Sequence, residues 1–347
     1  MVIRDDNSQL SAIVCGYAML ISPQNMEVPT GTSFQDLHIC LLQNILLNPH
    51  FQTYPPSTRY QALFWKWAVE NLERLSDSED AEVDQRIYEH YVSLMPPSCQ
   101  NMAVIVPSPS YMTYTWRPSC SQALHSNATL LESQTTIESG TTGLKTWPAS
   151  LALAEYLIAN PDIVRHKHVM ELGCGAGLLG IITASLQEHI SFENSSLYLT
   201  DVRDDVLKRC NDNVRLTCNN SSKHPSLFCR TLDWIDSLES PATLTPLLDE
   251  ISADVVLGAD VVYDPSIIRP LVATLSLILA KKTSLALVSL TIRNPETLTQ
   301  FLQTARESLS IEEIKLDDNL QSPFLGIVRS KRPSMIHDIR IYKVQCR

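Results

Sequence analysis

The chain has 347 residues with 44% hydrophobic and 19% charged side chains, enough for about two domains around a sizeable core. A net charge of −11 offers no counterion release on a polyanion, so DNA or RNA is excluded as the expected direct substrate. Nine cysteines without a C-x-x-C pair speak against a metal site and a disulfide framework, and no segment reaches the roughly 18 apolar residues of a membrane span.

Residues 1–33 begin with Arg4, Asp5 and Asp6, a poor flank for the weak signal-like core of Leu10, Ile13, Val14 and Tyr17. A poorly ordered leader is expected there. Residues 34–106 read as a helical N-terminal domain. Leu37, Cys40, Leu41, Ile45 and Leu46 recur at helical spacing, and so do Tyr60, Leu63, Phe64, Trp67 and Leu72 beyond Pro55-Pro56. Ser76 to Glu82 reads as an acidic turn, and Ile87, Tyr91 and Leu94 as a third helix stopped by Pro96-Pro97. Residues 107–137 alternate Tyr, Thr and Ser with apolar residues, as connecting strands would. From 138 to 347 the chain alternates strands and helices, with candidate strands at 168–172, 196–200, 227–231, 254–259, 284–291 and 338–344. That alternation predicts an α/β fold with a doubly wound, mostly parallel sheet, whose ligand groups gather at the carboxyl ends of the strands.

The richest segment is Met170-Glu-Leu-Gly-Cys-Gly-Ala-Gly-Leu-Leu-Gly180, which reads as strand, tight turn, helix. Glycines at 173, 175 and 177 allow a sharp turn and close approach of a ligand to the backbone. A dinucleotide fingerprint counted from Gly173 would need glycine where Leu178 stands, and Glu171 would repel a pyrophosphate. A sulfonium with an amino-acid tail fits better, its charges met by the Glu171 carboxylate and the edge lined by Gly173 and Gly175, so the segment reads as a site for S-adenosylmethionine. Asp201, at the tip of the next strand, can accept from both ribose hydroxyls; the competing reading is a helix cap, a task open to Asp204 or Asp205.

Trp234, after the third strand, offers a flat face for adenine. Trp147 precedes Pro148 at a loop-to-helix junction, and its ring could face a sulfonium; simple packing is equally common for such a residue. Asp254-Val-Val-Leu-Gly-Ala-Asp-Val-Val-Tyr263 is a central strand that breaks at Gly258 and ends in Asp260 and Tyr263. A lysine amine, with a pKa near ~10.4, must be oriented and helped to shed its proton before it can attack a methyl group. Asp260 could hold the ammonium and Tyr263 position the amine. The alternative for this pair is a helix cap and a packed ring.

The ordered set G-x-x-x-x-x-W-P-A-S, E-L-G-C-G-A-G, L-T-D, N-D-N-V, L-D-W and A-D-V-V-Y resembles the seven-β-strand lysine methyltransferases with a D-x-x-Y motif. Ser139-Gly-Thr-Thr-Gly-Leu-Lys-Thr-Trp147 and Thr291-Ile-Arg-Asn-Pro-Glu-Thr297 resemble, more narrowly, the eukaryotic elongation factor 2 lysine methyltransferases. The resemblance spans about residues 34–345. It implies a Rossmann-like seven-stranded methyltransferase with a helical N-terminal region. It further implies S-adenosylmethionine as cofactor, elongation factor 2 as protein substrate and a cytoplasmic location; a monomer without metal is expected. Carried over by position, cofactor contacts fall on Trp147, Gly173, Cys174, Gly175, Asp201, Trp234 and Ala259, while Asp260 and Tyr263 face the lysine. Two other readings remain at this stage: a methyltransferase for a different acceptor, and a non-catalytic protein that keeps the cofactor fold.

Overall fold

The computed structural model describes residues 10–76, 82–95, 107–118, 125–188, 194–281, 284–315, 322–325 and 338–347. The chain divides into two compact units, one of Met1–Arg117, Ala123–Thr136 and Phe324–Ile327, the other of Pro118–Gln122, Ile137–Pro323 and Val328–Arg347.

The first unit is built on helices. α1 (Ser11–Ala18) precedes α2 (Phe34–Ile39), which runs on as a π-helical stretch over Cys40–Leu46. α3 (Pro49–Thr53), α4 (Thr58–Leu75) and α5 (Gln85–Ser93) follow. Ser33, Asn48 and Asp84 cap α2, α3 and α5 by accepting a backbone N–H of the first turn, a role short polar side chains fill well. Leu37, Leu41, Phe64 and Leu72 share one buried core, as their spacing predicts, whereas Leu63, read onto the same stripe, is 54% exposed. Residues 77–81 and 96–97, where a turn and a helix stop are expected, lie outside the described residues.

The leader expectation does not hold for α1. Ile13, Val14 and Tyr17 are buried, and the Tyr17 ring lies 5.0 Å from Phe51 and 4.5 Å from Phe64. The apolar run that resembles a weak signal core is core of the helical unit; residues 1–9 lie outside the described residues. Strands β1 (Ser110–Trp116) and β2 (Ser126–Glu132) pair as an antiparallel hairpin within this same unit. Phe324 completes it: Leu325 N–H donates to Thr115 O at 2.8 Å, and the Phe324 ring packs on Tyr114 and Trp116.

The second unit carries a seven-stranded sheet. In chain order it runs α6 (Pro148–Ala159), β3 (His168–Leu172), α7 (Leu178–Glu188), β4 (Ser196–Asp201), α8 (Asp204–Val214) and β5 (Leu227–Thr231). Then come α9 (Asp236–Glu239), α10 (Pro241–Ile251), β6 (Val255–Ala259), α11 (Ile268–Leu279), β7 (Leu285–Thr291), α12 (Pro295–Ser308), β8 (Leu309–Ile314) and β9 (Ile339–Cys346). Strand order is β5-β4-β3-β6-β7-β9-β8, parallel except where β9 pairs with β7 and β8. Val169, Met170, Val255, Val256 and Leu257 are buried, as strands covered on both faces require. The β3-to-β5 run and the β6-to-β7 run leave β3 and β6 in opposite directions, so a crevice opens above their carboxyl ends. The sheet departs from plain strand–helix alternation at β8, which follows α12 without a break and was not anticipated. No described helix is long and apolar enough to cross a membrane.

Candidate active site

A cavity of about 460 Å³ lies in the second unit at the carboxyl ends of β3, β4 and β6. Its floor is the turn between β3 and α7. Gly173, Gly175 and Gly177 take φ values of 66°, 52° and 96°, a region that side-chain-bearing residues enter at a cost. A Cβ on Gly175 would sit 3.1 Å from Gly143 O, and one on Gly173 would sit 3.1 Å from the Val261 side chain and 3.7 Å from the Trp234 ring. The glycines therefore make a cradle that any larger residue would fill. Cys174 N–H donates to Thr200 O at 2.9 Å, and the buried Asn213 amide donates to Ala176 O at 2.9 Å, tying the turn to β4 and α8.

Glu171 is 3% exposed and its Oε2 has no hydrogen-bond partner among the described residues. Burial first, and the nearby Asp201 carboxylate second, push its pKa well above the usual carboxylate range. Asp201 at the end of β4 is also raised, by burial first, although backbone N–H groups of Arg203, Gly175 and Val202 work against it. Its Oδ1 accepts from Arg203 N–H at 3.1 Å, which makes a local turn; α8 begins at Asp204, and no side chain caps it. Cys174 is pushed up to about 11: the Cys210 hydrogen bond pulls the other way, but burial and the acids Glu171 and Asp201 outweigh it. Its thiol stays protonated, which leaves the glycine-turn backbone as its contribution.

The rest of the wall comes from two segments. The loop 138–147 is pinned by Arg203, whose guanidinium donates to Ser139 O at 3.1 Å, and by Trp147 Nε1, which donates to Thr142 O at 3.0 Å. Pro148 then opens α6 from its first position. The second segment follows β6. Asp260 holds φ at 55°, its N–H donates to Ser289 O at 2.8 Å, and its carboxylate accepts from Thr291 and Arg293. Tyr263 is 62% exposed at the rim. Partial desolvation first, then the carboxylates of Asp201 and Asp264, hold its phenol above the ordinary value, so the hydroxyl is a donor at neutral pH.

All ten residues singled out in the sequence (Trp147, Glu171, Gly173, Cys174, Gly175, Asp201, Trp234, Ala259, Asp260 and Tyr263) line this one cavity. Sequence reasoning missed the direct contribution of Thr141, Thr142, Asp233, Ile235 and Arg293 to the wall. Arg293 sits in the T-x-R-N-P-E-T segment, in a loop the sequence ties to acceptor choice without making the residue a contact. The structure also alters the picture of Asp260, whose carboxylate is engaged by the protein's own donors.

The residues fit S-adenosylmethionine. The partnerless Glu171 oxygen suits an ammonium, the glycine cradle suits a tail close to the backbone, Asp201 suits a pair of hydroxyls, and Trp234 suits a flat base. Among the described residues no cluster of His, Cys, Asp or Glu has the arrangement of a metal site.

A family model described as lysine methyltransferase matches residues 125–308. The chain is 27% identical to Protein-lysine N-methyltransferase EEF2KMT of Bos taurus, covering 84% of each. It is 28% identical to Protein-lysine N-methyltransferase EFM3 of Chaetomium thermophilum, covering 87% of this chain and 88% of that one. With the Homo sapiens EEF2KMT the identity is 35%, over 50% of this chain and 53% of the relative. The matched segment is more than half of the chain and includes the whole glycine turn and the D-x-x-Y end of β6, so the chain belongs to the lysine methyltransferase family, whose members take the methyl group from S-adenosylmethionine.

Proposed function

We propose that this protein methylates a lysine of translation elongation factor 2, as a monomer in the cytoplasm. The observation that carries the reading is that the D-x-x-Y residues, Asp260 and Tyr263, open on the same cavity as the glycine cradle, Glu171 and Asp201. Donor side and acceptor side then share one groove. The likeness to EEF2KMT and EFM3 over most of each chain supplies the choice of acceptor.

When bound, S-adenosylmethionine supplies an electrophilic methyl group on a sulfonium. Glu171 would meet the ammonium of its amino-acid tail, the backbone at Gly173, Cys174 and Gly175 its flexible middle, Asp201 its ribose and Trp234 its adenine, with Trp147 and Ala259 closing the sides. On the acceptor side, Asp260 would receive the lysine as an ammonium. Tyr263, a protonated phenol at the rim, would turn the amine's lone pair toward the groove after its proton passes to solvent. The helical first unit would dock the large substrate.

The test is transfer of labelled methyl from S-adenosylmethionine into purified, unmodified elongation factor 2, followed by peptide mass mapping. Label on one lysine is expected. Cofactor binding with no label in the factor would overturn the choice of substrate.

A further inference from the structure

Asp260 holds a cation that belongs to the protein itself. Its carboxylate is 6% exposed and receives three donors. Thr291 N–H reaches Oδ1 at 2.8 Å, the Thr291 hydroxyl reaches Oδ2 at 3.0 Å, and Arg293 Nη2 reaches Oδ2 at 3.0 Å. The two Thr291 donors stand on the end of β7 and are fixed by the sheet. Arg293 lies past the strand, with its side chain 45% exposed and its guanidinium over the Trp147 ring, 4.8 Å from the centroid. Asp260, Trp147, Tyr263 and Arg293 all line the cavity that holds the glycine turn. Arg293 and Tyr263 also face a second one of about 50 Å³ between the ends of β6 and β7. Among the described residues, Arg293 is thus the one charged and movable partner of this carboxylate.

We propose that Arg293 is a specificity-determining residue that keeps the acceptor's place on Asp260, and that arrival of the substrate lysine exchanges one cation for the other. This rests on the reading above, in which Asp260 receives the lysine. A buried carboxylate stripped of its cation is left uncompensated, so the pair opens only when another cation is ready to take over. A lysine ammonium meets that requirement and a neutral hydroxyl does not, which builds the choice of acceptor into an unfavourable alternative. Neither partner is stranded by the exchange. Asp260 keeps a cation and both Thr291 donors, while Arg293 keeps the indole face of Trp147 and contact with water.

The experiment compares Arg293→Ala and Arg293→Gln with wild type in methylation of purified, unmodified elongation factor 2, with cofactor affinity measured alongside. Removing the competing cation should lower the acceptor KM by about threefold or more, with kcat moving less than KM. Arg293→Lys, which keeps a cation, should hold KM near the wild-type value. A rise in KM for both neutral variants would overturn the exchange, because it would make Arg293 a clasp whose loss weakens acceptor binding. A second readout needs no substrate. Methylammonium chloride should raise the melting temperature of the neutral variants more than equal sodium chloride does, and should not distinguish the salts in wild type. Equal responses in variant and wild type would also overturn it. If wild type transfers nothing to elongation factor 2, the substrate assignment falls, and the methylammonium melts still decide the role of Arg293.

Discussion

Asparagine at position 260 would tolerate the left-handed φ of 55° and keep an acceptor for Thr291, while removing the charge. Asp260→Asn is therefore expected to fold, to bind the cofactor within about threefold of wild type, and to lose about a hundredfold or more in kcat. Titration calorimetry beside a methyl-transfer assay checks this; equal loss of binding and turnover would make Asp260 structural. Glu171 makes a different prediction. Burial holds its pKa above that of an ordinary carboxylate, so acidification protonates it more readily and cofactor affinity should weaken as pH falls. Glu171→Gln should bind more weakly and lose that slope, which binding curves between pH 5.5 and 8.5 would reveal. The lining of the cavity was legible because Gly173, Asp201, Trp234 and Asp260 stand at or just past the ends of β3, β4, β5 and β6, where a doubly wound sheet gathers its ligand groups. The Asp260–Arg293 pair was not, because residues 33 apart meet only through the register of β6 beside β7, which spacing alone does not report.

At the scale of elements, the β3–α7 turn is the least forgiving connection. Gly175→Ala would place a side chain at a φ of 52°, at a cost of about 1–2 kcal/mol, and set its Cβ 3.1 Å from Gly143 O. Loss of cofactor affinity by about tenfold or more is expected, with a lowered melting temperature. The segment joining α8 to β5 gives a pH-dependent counterpart. His224 is 2% exposed; its Nδ1 accepts from Ser226 N–H at 3.2 Å, leaving Nε2 to donate to Gln187 Oε1 at 3.0 Å. Burial first, then Arg215, lowers its pKa from 6.5 to about 4. The unfolded chain takes up this proton at higher pH than the folded one does. The stabilisation is therefore complete above pH 6.5 and is lost as pH falls toward 4, by up to about 3 kcal/mol. Melts across that range should show the decline, smaller in His224→Gln. The parallel strands were readable as unbroken apolar runs. β8 was not: it is a half-exposed edge strand with only Leu309 buried, and its sequence continues the polarity of α12. α1 was misread because a short apolar helix and a weak signal core share the same composition.

On the whole molecule, the helical unit has a core of its own, so the docking role proposed for it can be tested apart from the cofactor groove. Residues 136–347 alone, once shown by melting to fold, are expected to capture elongation factor 2 less well than the full chain in a pull-down. Equal capture would remove the docking role. Tyr17→Ala should destabilise the helical unit by about 3–5 kcal/mol, the usual range for a buried aromatic, and would show as an earlier melting transition. The return of Phe324 to the β1–β2 hairpin bears on biogenesis. A ribosome delivers residues from the N-terminus onward, and units made first usually fold first. Here Trp116, fully buried in the finished protein, lacks its Phe324 neighbour until most of the chain has been translated. The first unit to emerge is thus sealed only once residue 324 is made, shortly before β9 completes the sheet of the second. Until then the hairpin lacks this aromatic neighbour, so nascent-chain length sets when Trp116 is covered.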